Sequence, residues 1–219
     1  MMHLKGGRLA GAAAIVGVAS LLIAGCGQQQ AAGTASAAGS TSSSTTSSQS
    51  SSTPAPQTVS YSWSVVNGGN PQHSAWPFFS EDGKNPMPAT VTLPANATVT
   101  LTIKTYDDGG GTVPAAYAKV TGTTGNVETV NGKQESSFKA SGVIAHTFTV
   151  SGLGLNIPLV AATDQGSTVV PSVTVVTFKT PAKAGTYSWQ CYQPCGTGSA
   201  GWGGPMVTPG WMMGSLQIQ

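Results

Sequence analysis

The chain has 219 residues, of which only 7% are charged, and it contains 29 Gly, 14 Pro and 3 Cys. Soluble domains carry roughly 25% charged residues, so the surface of this protein must be covered mainly by uncharged polar groups. The scarcity of charge excludes nucleic-acid binding, which requires clustered Lys and Arg, and it excludes coiled coils and long exposed helices.

The N-terminus has the pattern of an export signal. Lys5 and Arg8 precede an apolar run over 9–24, which is shorter than the roughly 20 residues that span a bilayer. A basic start, an apolar run and small residues before a cut are typical of a secretory signal. The sequence Ile-Ala-Gly before Cys26 resembles the bacterial lipobox, which implies that Cys26 is acylated. We therefore predict a signal peptide over 1–25 and an extracytoplasmic, lipid-anchored location in the bacterial cell envelope; a plain signal peptide or a short membrane anchor is the alternative.

Residues 26–57 have the composition of a disordered tether that follows the lipidated cysteine. The segment is rich in Ser, Thr and Ala and ends near a Pro-Ala-Pro sequence. It has too few apolar residues to offset the entropy cost of ordering. Removal of the signal peptide would also remove Lys5 and Arg8. The nine basic residues would fall to seven, which equals the number of acidic residues. The mature protein is thus expected to be neutral.

Residues 58–219 are predicted to form one all-β domain. Apolar residues alternate with Thr and Ser in several short segments that Gly and Pro separate, which is the pattern of half-buried strands. Seven or eight strands in a domain of this length favour a Greek-key β-sandwich. The predicted strand segments are Tyr61–Val65, Val91–Leu93, Val99–Ile103, Ala145–Val150, Val173–Phe178, Tyr187–Trp189 and Leu216–Ile218.

The middle of the domain departs from this alternation. The stretch Tyr106–Gly142 is rich in Gly and is predicted to be a long loop. Its best helical segment, Pro114–Val120, has room for about two turns. Asp107 and Asp108 precede Gly109, an arrangement typical of a turn.

The candidate chemistry lies mainly near the C-terminus. Cys191 ends a predicted strand, Cys195 follows in a Gly-rich loop, and Met206 and Met212 precede the last strand. His146 lies near the start of an earlier strand, on the same face as Phe148 and Val150. Imidazole, thiolate and thioether groups are soft to borderline ligands that suit copper. Two cysteines in an exported protein could instead form a disulfide, and buried Met and His also occur as packing residues. Both interpretations stay open on the residues alone.

Taken together, these motifs resemble the cupredoxin family. The matching residues are His-x-Phe-x-Val at 146–150, Gly-x-Tyr-x-Trp-x-Cys at 185–191 and Met-x-Gly-x-Leu-x-Ile at 212–218. The spacing of Cys191, Cys195 and Gly196 further resembles the binuclear-copper domain of cytochrome oxidase subunit II. The resemblance implies a cupredoxin-like Greek-key sandwich with copper bound at one end and a role in electron transfer.

The chain departs from both copper patterns at the C-terminal histidine. Ser199 occupies the position of that histidine in the binuclear pattern, and Pro209 occupies it in the mononuclear pattern. Blue-copper sites use two His, one Cys and a weak axial Met. A standard site would therefore need His73 as an extra ligand.

The sequence thus supports a lipid-anchored copper protein for electron transfer or copper handling. Its expected partners are membrane lipid at Cys26 and a redox protein such as a respiratory oxidase or cytochrome. The alternative is a metal-free binding module with a Cys191–Cys195 disulfide. We do not expect an enzyme, because a hydrolytic Cys191–His146 pair would need an orienting acid and only Asp164 is nearby in sequence.

Overall fold

The structure is a computed structural model that describes residues 55–67 and 76–219. Most of the predicted tether, all of the predicted signal peptide, Cys26 and His73 lie outside the described residues. Within those residues, none of the helices has the length and apolar character needed to cross a membrane. The helices are short 3-10 segments at Ala115–Ala118, Thr124–Asn126, Ser151–Leu153 and Gly204–Val207.

Two sheets contain most of the described strands. The first sheet has the strand order β2-β1-β4-β11-β5-β6, the second has β3-β13-β12-β7-β8, and β9 and β10 form a separate ribbon. Pairing is antiparallel except between β1 and β4 and between β3 and β13. The strands are β1 Gln57–Asn67, β2 Pro77–Ser80, β3 Thr90–Leu93, β4 Ala97–Thr105, β5 Glu128–Val130, β6 Lys133–Glu135, β7 Ile144–Val150, β8 Leu155–Val160, β9 Thr163–Asp164, β10 Val169–Val170, β11 Ser172–Lys179, β12 Gly185–Gln190 and β13 Met213–Ile218.

The main hydrophobic core lies between these two sheets. In β4, β11 and β13 every second residue is buried, because alternate side chains of a strand point to opposite faces. Trp63 of β1 packs edge-to-face on Phe148 of β7 at a centroid distance of 5.3 Å, and Phe79 of β2 packs on Trp189 of β12 at 5.3 Å. These contacts join the two sheets, and the predicted all-β Greek-key sandwich is confirmed. Each of the seven predicted strand segments lies within an observed strand.

The predicted loop Tyr106–Gly142 contains more regular structure than the sequence suggested. It contributes strands β5 and β6 to the first sheet, and its helical segment is reduced to one 3-10 turn. This stretch also packs on β7, where Val113 and Ala118 contact Ile144. Strand β7 is therefore buried along its whole length. The prediction of a plain loop was wrong because three-residue strands are too short to show a period of two.

Candidate metal centre

Strand β12 places Cys191 at one end of the sandwich. Cys191 is the first residue after the strand, and its side chain is fully buried beside the core. Its backbone N–H donates to the Met212 carbonyl at 2.8 Å, which fixes the chain where it leaves the sheet. The Thr147 N–H donates to the Cys191 Sγ at 3.4 Å. The sulfur is thus held between the end of β12 and the middle of β7.

His146 reaches the same place from β7. The pairing of β7 with β8 shifts register between Ile144 and His146, and such bulges often redirect a side chain beside a site. The His146 ring is completely buried, and its Nδ1 lies 3.9 Å from the Cys191 Sγ. These two predicted ligands, which are 45 residues apart in the chain, are therefore neighbours in the fold.

The loop after β12 adds two more sulfur atoms. The Cys195 Sγ lies 3.9 Å from the Cys191 Sγ and 3.2 Å from the Met206 Sδ. The ligand atoms of His146, Cys191 and Cys195 all lie within 4.8 Å of one another. Metal–ligand bonds of about 2.0–2.3 Å place tetrahedral ligands about 3.3–3.8 Å apart. The spacing of these donors is therefore close to what one metal ion requires. We call the set His146, Cys191, Cys195 and Met206 the sulfur-rich cluster.

Both cysteines of the cluster are free thiols. Their 3.9 Å separation is far longer than the S–S bond of about 2.05 Å in a disulfide. The alternative interpretation as a structural disulfide is therefore not realised in this structure.

Asp107 is a neighbour of the cluster that the sequence did not reveal. Its carboxylate Oδ2 lies 2.9 Å from the His146 Nε2. A carboxylate can only accept hydrogen bonds, so Nε2 must donate, which leaves Nδ1 of the neutral ring facing Cys191 with a free lone pair. Such a carboxylate–histidine pair orients metal-ligating histidines in many proteins.

The sequence interpretation named Asp164 as the only acid nearby in sequence, but the acid that contacts His146 in the fold is Asp107. The Asp107-Asp108-Gly109 turn pattern was the available signal, and the turn does form: the Gly109 N–H donates to the Asp107 Oδ1 at 2.9 Å. A carboxylate has two oxygens, and the second one binds the histidine 39 residues away. Only the tertiary fold supplies that contact.

The electrostatics of the cluster favour a thiolate at Cys191. Burial alone disfavours a thiolate, but the hydrogen bonds to Cys195 and His146 outweigh burial and hold the pKa of Cys191 well below its usual range. The contact with Cys191 and burial together raise the pKa of Cys195 above its usual value. Burial alone would lower the pKa of His146, but its hydrogen bonds to Asp107 and Cys191 raise that pKa to about 9. Without a metal, these shifts favour a Cys191 thiolate beside a protonated His146 ring, and the Nδ1 proton would have to leave before that nitrogen could bind a metal.

Two other predicted ligands are not members of the sulfur-rich cluster as defined here. Met212 is fully buried in the main core, which also includes Cys191 and Met206, and its backbone carbonyl accepts the hydrogen bond from Cys191. His73 lies outside the described residues, so its role as an extra ligand stays a prediction.

Comparison with known proteins gives similarity to solved structures only. No family profile and no curated protein sequence matches the chain. A structure of the copper protein rusticyanin is 20% identical, with 74% of this chain and 78% of that chain covered and a TM-score of 0.36. Rusticyanin from Thiobacillus ferrooxidans is 18% identical over 74% and 77%, with a TM-score of 0.35. The multicopper oxidase Fet3p, which functions in iron import, is 12% identical over 74% and 23%, with a TM-score of 0.36.

TM-scores below 0.5 do not define a common fold. The two-sheet assignment therefore rests on the strand order and the shared core described above. The resemblance to the binuclear domain of cytochrome oxidase subunit II stays a prediction.

Proposed function

We propose that this chain is a copper protein that binds the metal in the sulfur-rich cluster and transfers electrons outside the cytoplasm. One observation supports the proposal most directly: two thiols, a thioether and an imidazole nitrogen from β7, the end of β12 and the following loop converge in one buried place. A cluster of this kind is unusual for pure packing, since a buried ionisable group is costly without a function or a partner.

The types of donor favour copper over other metals. Thiolate and thioether sulfur are soft ligands that select Cu(I), zinc or iron–sulfur clusters, and imidazole suits both zinc and copper. Zinc sites use Cys, His and carboxylate ligands, so the Met206 thioether is the donor that favours copper. When bound, copper would supply one-electron chemistry through its Cu(I) and Cu(II) states.

The residues around the cluster would hold and shield the metal. Asp107 fixes the His146 ring, and the Thr147 N–H positions the Cys191 sulfur. Trp189, which is 1% exposed, packs just before Cys191 and helps to exclude water. An apolar shell of this kind controls solvent access and redox potential at metal sites.

Location and partners follow from the sequence features outside the cluster. A lipobox at Cys26 and a Ser/Thr-rich tether would hold the domain close to the outer face of the membrane. A domain with seven charges of each sign would dock a redox partner, such as a respiratory oxidase or cytochrome, with little electrostatic steering. We propose no catalytic activity for this protein beyond electron transfer or copper delivery.

The direct test is copper binding by the full chain. We expect the reduced protein to bind one Cu(I) per chain under anaerobic conditions, and careful oxidation of that complex to give a thiolate-to-copper absorption band. Cys191→Ser should remove the band and lower the copper affinity at least 100-fold, because it deletes the central ligand. Cys26→Ser is the matched control and should retain both. Equal copper binding by Cys191→Ser and the unmodified chain would refute the proposal.

A further inference from the structure

The two cysteines of the sulfur-rich cluster form a pair that can react together as well as bind metal. Their sulfur atoms are in contact at 3.9 Å, and only Tyr192, Gln193 and Pro194 separate them in the chain. Cys191 is fully buried, whereas Cys195 is half-buried and provides the approach from solvent. A dissolved oxidant can thus reach the pair from the Cys195 side.

We propose that the empty Cys191–Cys195 dithiol is a redox gate that reduces Cu(II) and closes to a disulfide, so that the site loads with copper only as Cu(I). The inference rests on the proposed function, since it concerns how the same cluster acquires its metal. It assigns the chain a second activity, the stoichiometric reduction of cupric ions.

The reaction balances with Cu(II) as the oxidant. In the dithiol form, the S–H bonds of Cys191 and Cys195 break and one Sγ–Sγ bond forms. Two protons leave to solvent, and two electrons reduce two Cu(II) ions to two Cu(I) ions. One Cu(II) ion accepts only one electron, so a single ion at the site cannot complete the disulfide. Completion of the disulfide therefore takes a second Cu(II) ion, so closure is expected only when at least two Cu(II) ions are available per chain.

Each of the two sulfur atoms has a weak thiol contact that a covalent bond between them would replace. The Cys191 thiol faces the Gln193 carbonyl at 3.4 Å, and the Cys195 thiol faces the Met206 Sδ at 3.2 Å. Thiols are weak donors, so little is lost when both contacts are exchanged for a covalent bond. The Cys191 backbone is fixed by its bond to Met212, and we therefore expect the Cys195 side chain to make most of the movement.

The short spacing of Cys191 and Cys195 favours a reversible disulfide over a structural one. A disulfide stabilises a fold mainly by closing a loop in the unfolded chain, and the effect grows with loop length. A bridge between residues four positions apart closes a very short loop, so it constrains the unfolded chain little. Closure also withdraws both cysteine sulfur atoms from the metal site. Reduction by a dithiol would restore them through thiol–disulfide exchange.

The test uses the full chain with Cys26→Ser, in which Cys191 and Cys195 are the remaining cysteines. The reduced, metal-free protein is mixed anaerobically with excess Cu(II). Released Cu(I) is measured with a chromogenic chelator, thiols by titration, and mass under denaturing conditions. We expect two Cu(I) per chain, loss of both thiols, a mass lower by two hydrogens in the monomer, and recovery of both thiols with dithiothreitol.

Two variants and one parallel measurement make the result decisive. Cys195→Ser should form no intrachain bridge, while Met213→Leu, at a half-buried position on β13, should react like the parent. Survival of both thiols in excess Cu(II), or bridges only between chains, would overturn the gate. Anaerobic Cu(I) titration of the same sample tests the proposed function separately, because Cu(I) cannot oxidise the pair. Failure to bind Cu(I) would remove the copper proposal, whereas failure to form the bridge removes only the gate.

Discussion

The end of the sandwich beside β7 and β12 and the short hairpin of β5 and β6 both bury ionisable side chains, but in different ways. In the sulfur-rich cluster each ionisable group has a close neighbour: His146 contacts Asp107 and Cys191, and Cys191 contacts Cys195. At the hairpin, Glu128 is 1% exposed, and neither carboxyl oxygen has a hydrogen-bond partner among the described residues. Its cross-strand neighbour is another acid, Glu135.

The difference shows how burial is compensated in each region. A buried charge is tolerated when it is paired, whereas an unpaired carboxyl keeps its proton and becomes neutral. Burial and the nearby Glu135 raise the pKa of Glu128 to about 9. Glu128 is thus a neutral acid in the fold, while the sulfur-rich cluster can hold opposite charges in contact. The burial of Glu128 costs stability at neutral pH, whereas the paired groups of the sulfur-rich cluster are arranged as a metal site.

The largest expected effect comes from Glu128→Gln, which makes the neutral state permanent. Wild-type Glu128 binds its proton more tightly in the folded state than in the unfolded state, where its pKa is near 4.5. Its contribution to stability is therefore complete below pH 4.5 and is lost as the pH rises through about 9. Gln has no such dependence, so the variant should gain about 3 kcal/mol relative to wild type between pH 5 and pH 7. Urea unfolding at several pH values measures this gain.

Glu81→Gln is the control for this prediction. Glu81 is exposed, so its substitution should leave the pH dependence of the unfolding free energy parallel to that of the wild type. Parallel curves for Glu128→Gln as well would show that Glu128 is ionised in the fold and would remove the contrast with the cluster.

Local sequence patterns predicted much of the fold and part of the cluster, but they could not predict contacts that only the tertiary fold creates. Glu128 and Asp107 are examples of such contacts. The long strands were predictable because alternate residues of β4 and β11 face the core. The cluster was partly predictable because Cys191 and Cys195 are close in sequence and His146 lies in a segment where apolar residues alternate with Thr. Glu128 has no such local signal: in sequence it is an ordinary charged residue, and only the packing of β5 against β11 buries it.

Asp107→Asn tests the sulfur-rich cluster in the same way, because it removes the charged partner of the buried His146 ring. The amide can still accept a hydrogen bond from the His146 Nε2, but it has no negative charge to hold the ring orientation and basicity. Substitution of such partners lowers metal affinity by roughly 10–100-fold, and competition against a Cu(I) chelator would measure that loss. Asp108→Asn is the matched control: its side chain is exposed, and copper affinity should be unchanged. Equal affinities for both variants would mean that Asp107 has only a turn-forming role.

The smallest expected effect comes from Met206→Leu, which tests whether the Met206 thioether is a metal ligand. Met206 is fully buried, with its Sδ 3.2 Å from the Cys195 Sγ, and Leu fills a similar volume without a sulfur donor. Since thioethers are weak, long axial ligands in copper sites, we expect the affinity to fall less than about tenfold and the thiolate band to persist. The reduction potential should change, because the axial ligand tunes it.

Met212→Leu is the natural comparison for Met206→Leu, since the sequence predicted both residues as ligands and both are fully buried. What Met212 provides to Cys191 is a backbone carbonyl, which Leu retains. Cyclic voltammetry of the copper-loaded full chain should therefore show a shifted potential for Met206→Leu and an unchanged one for Met212→Leu. The reverse pattern would assign the thioether ligand to Met212 and remove Met206 from the sulfur-rich cluster.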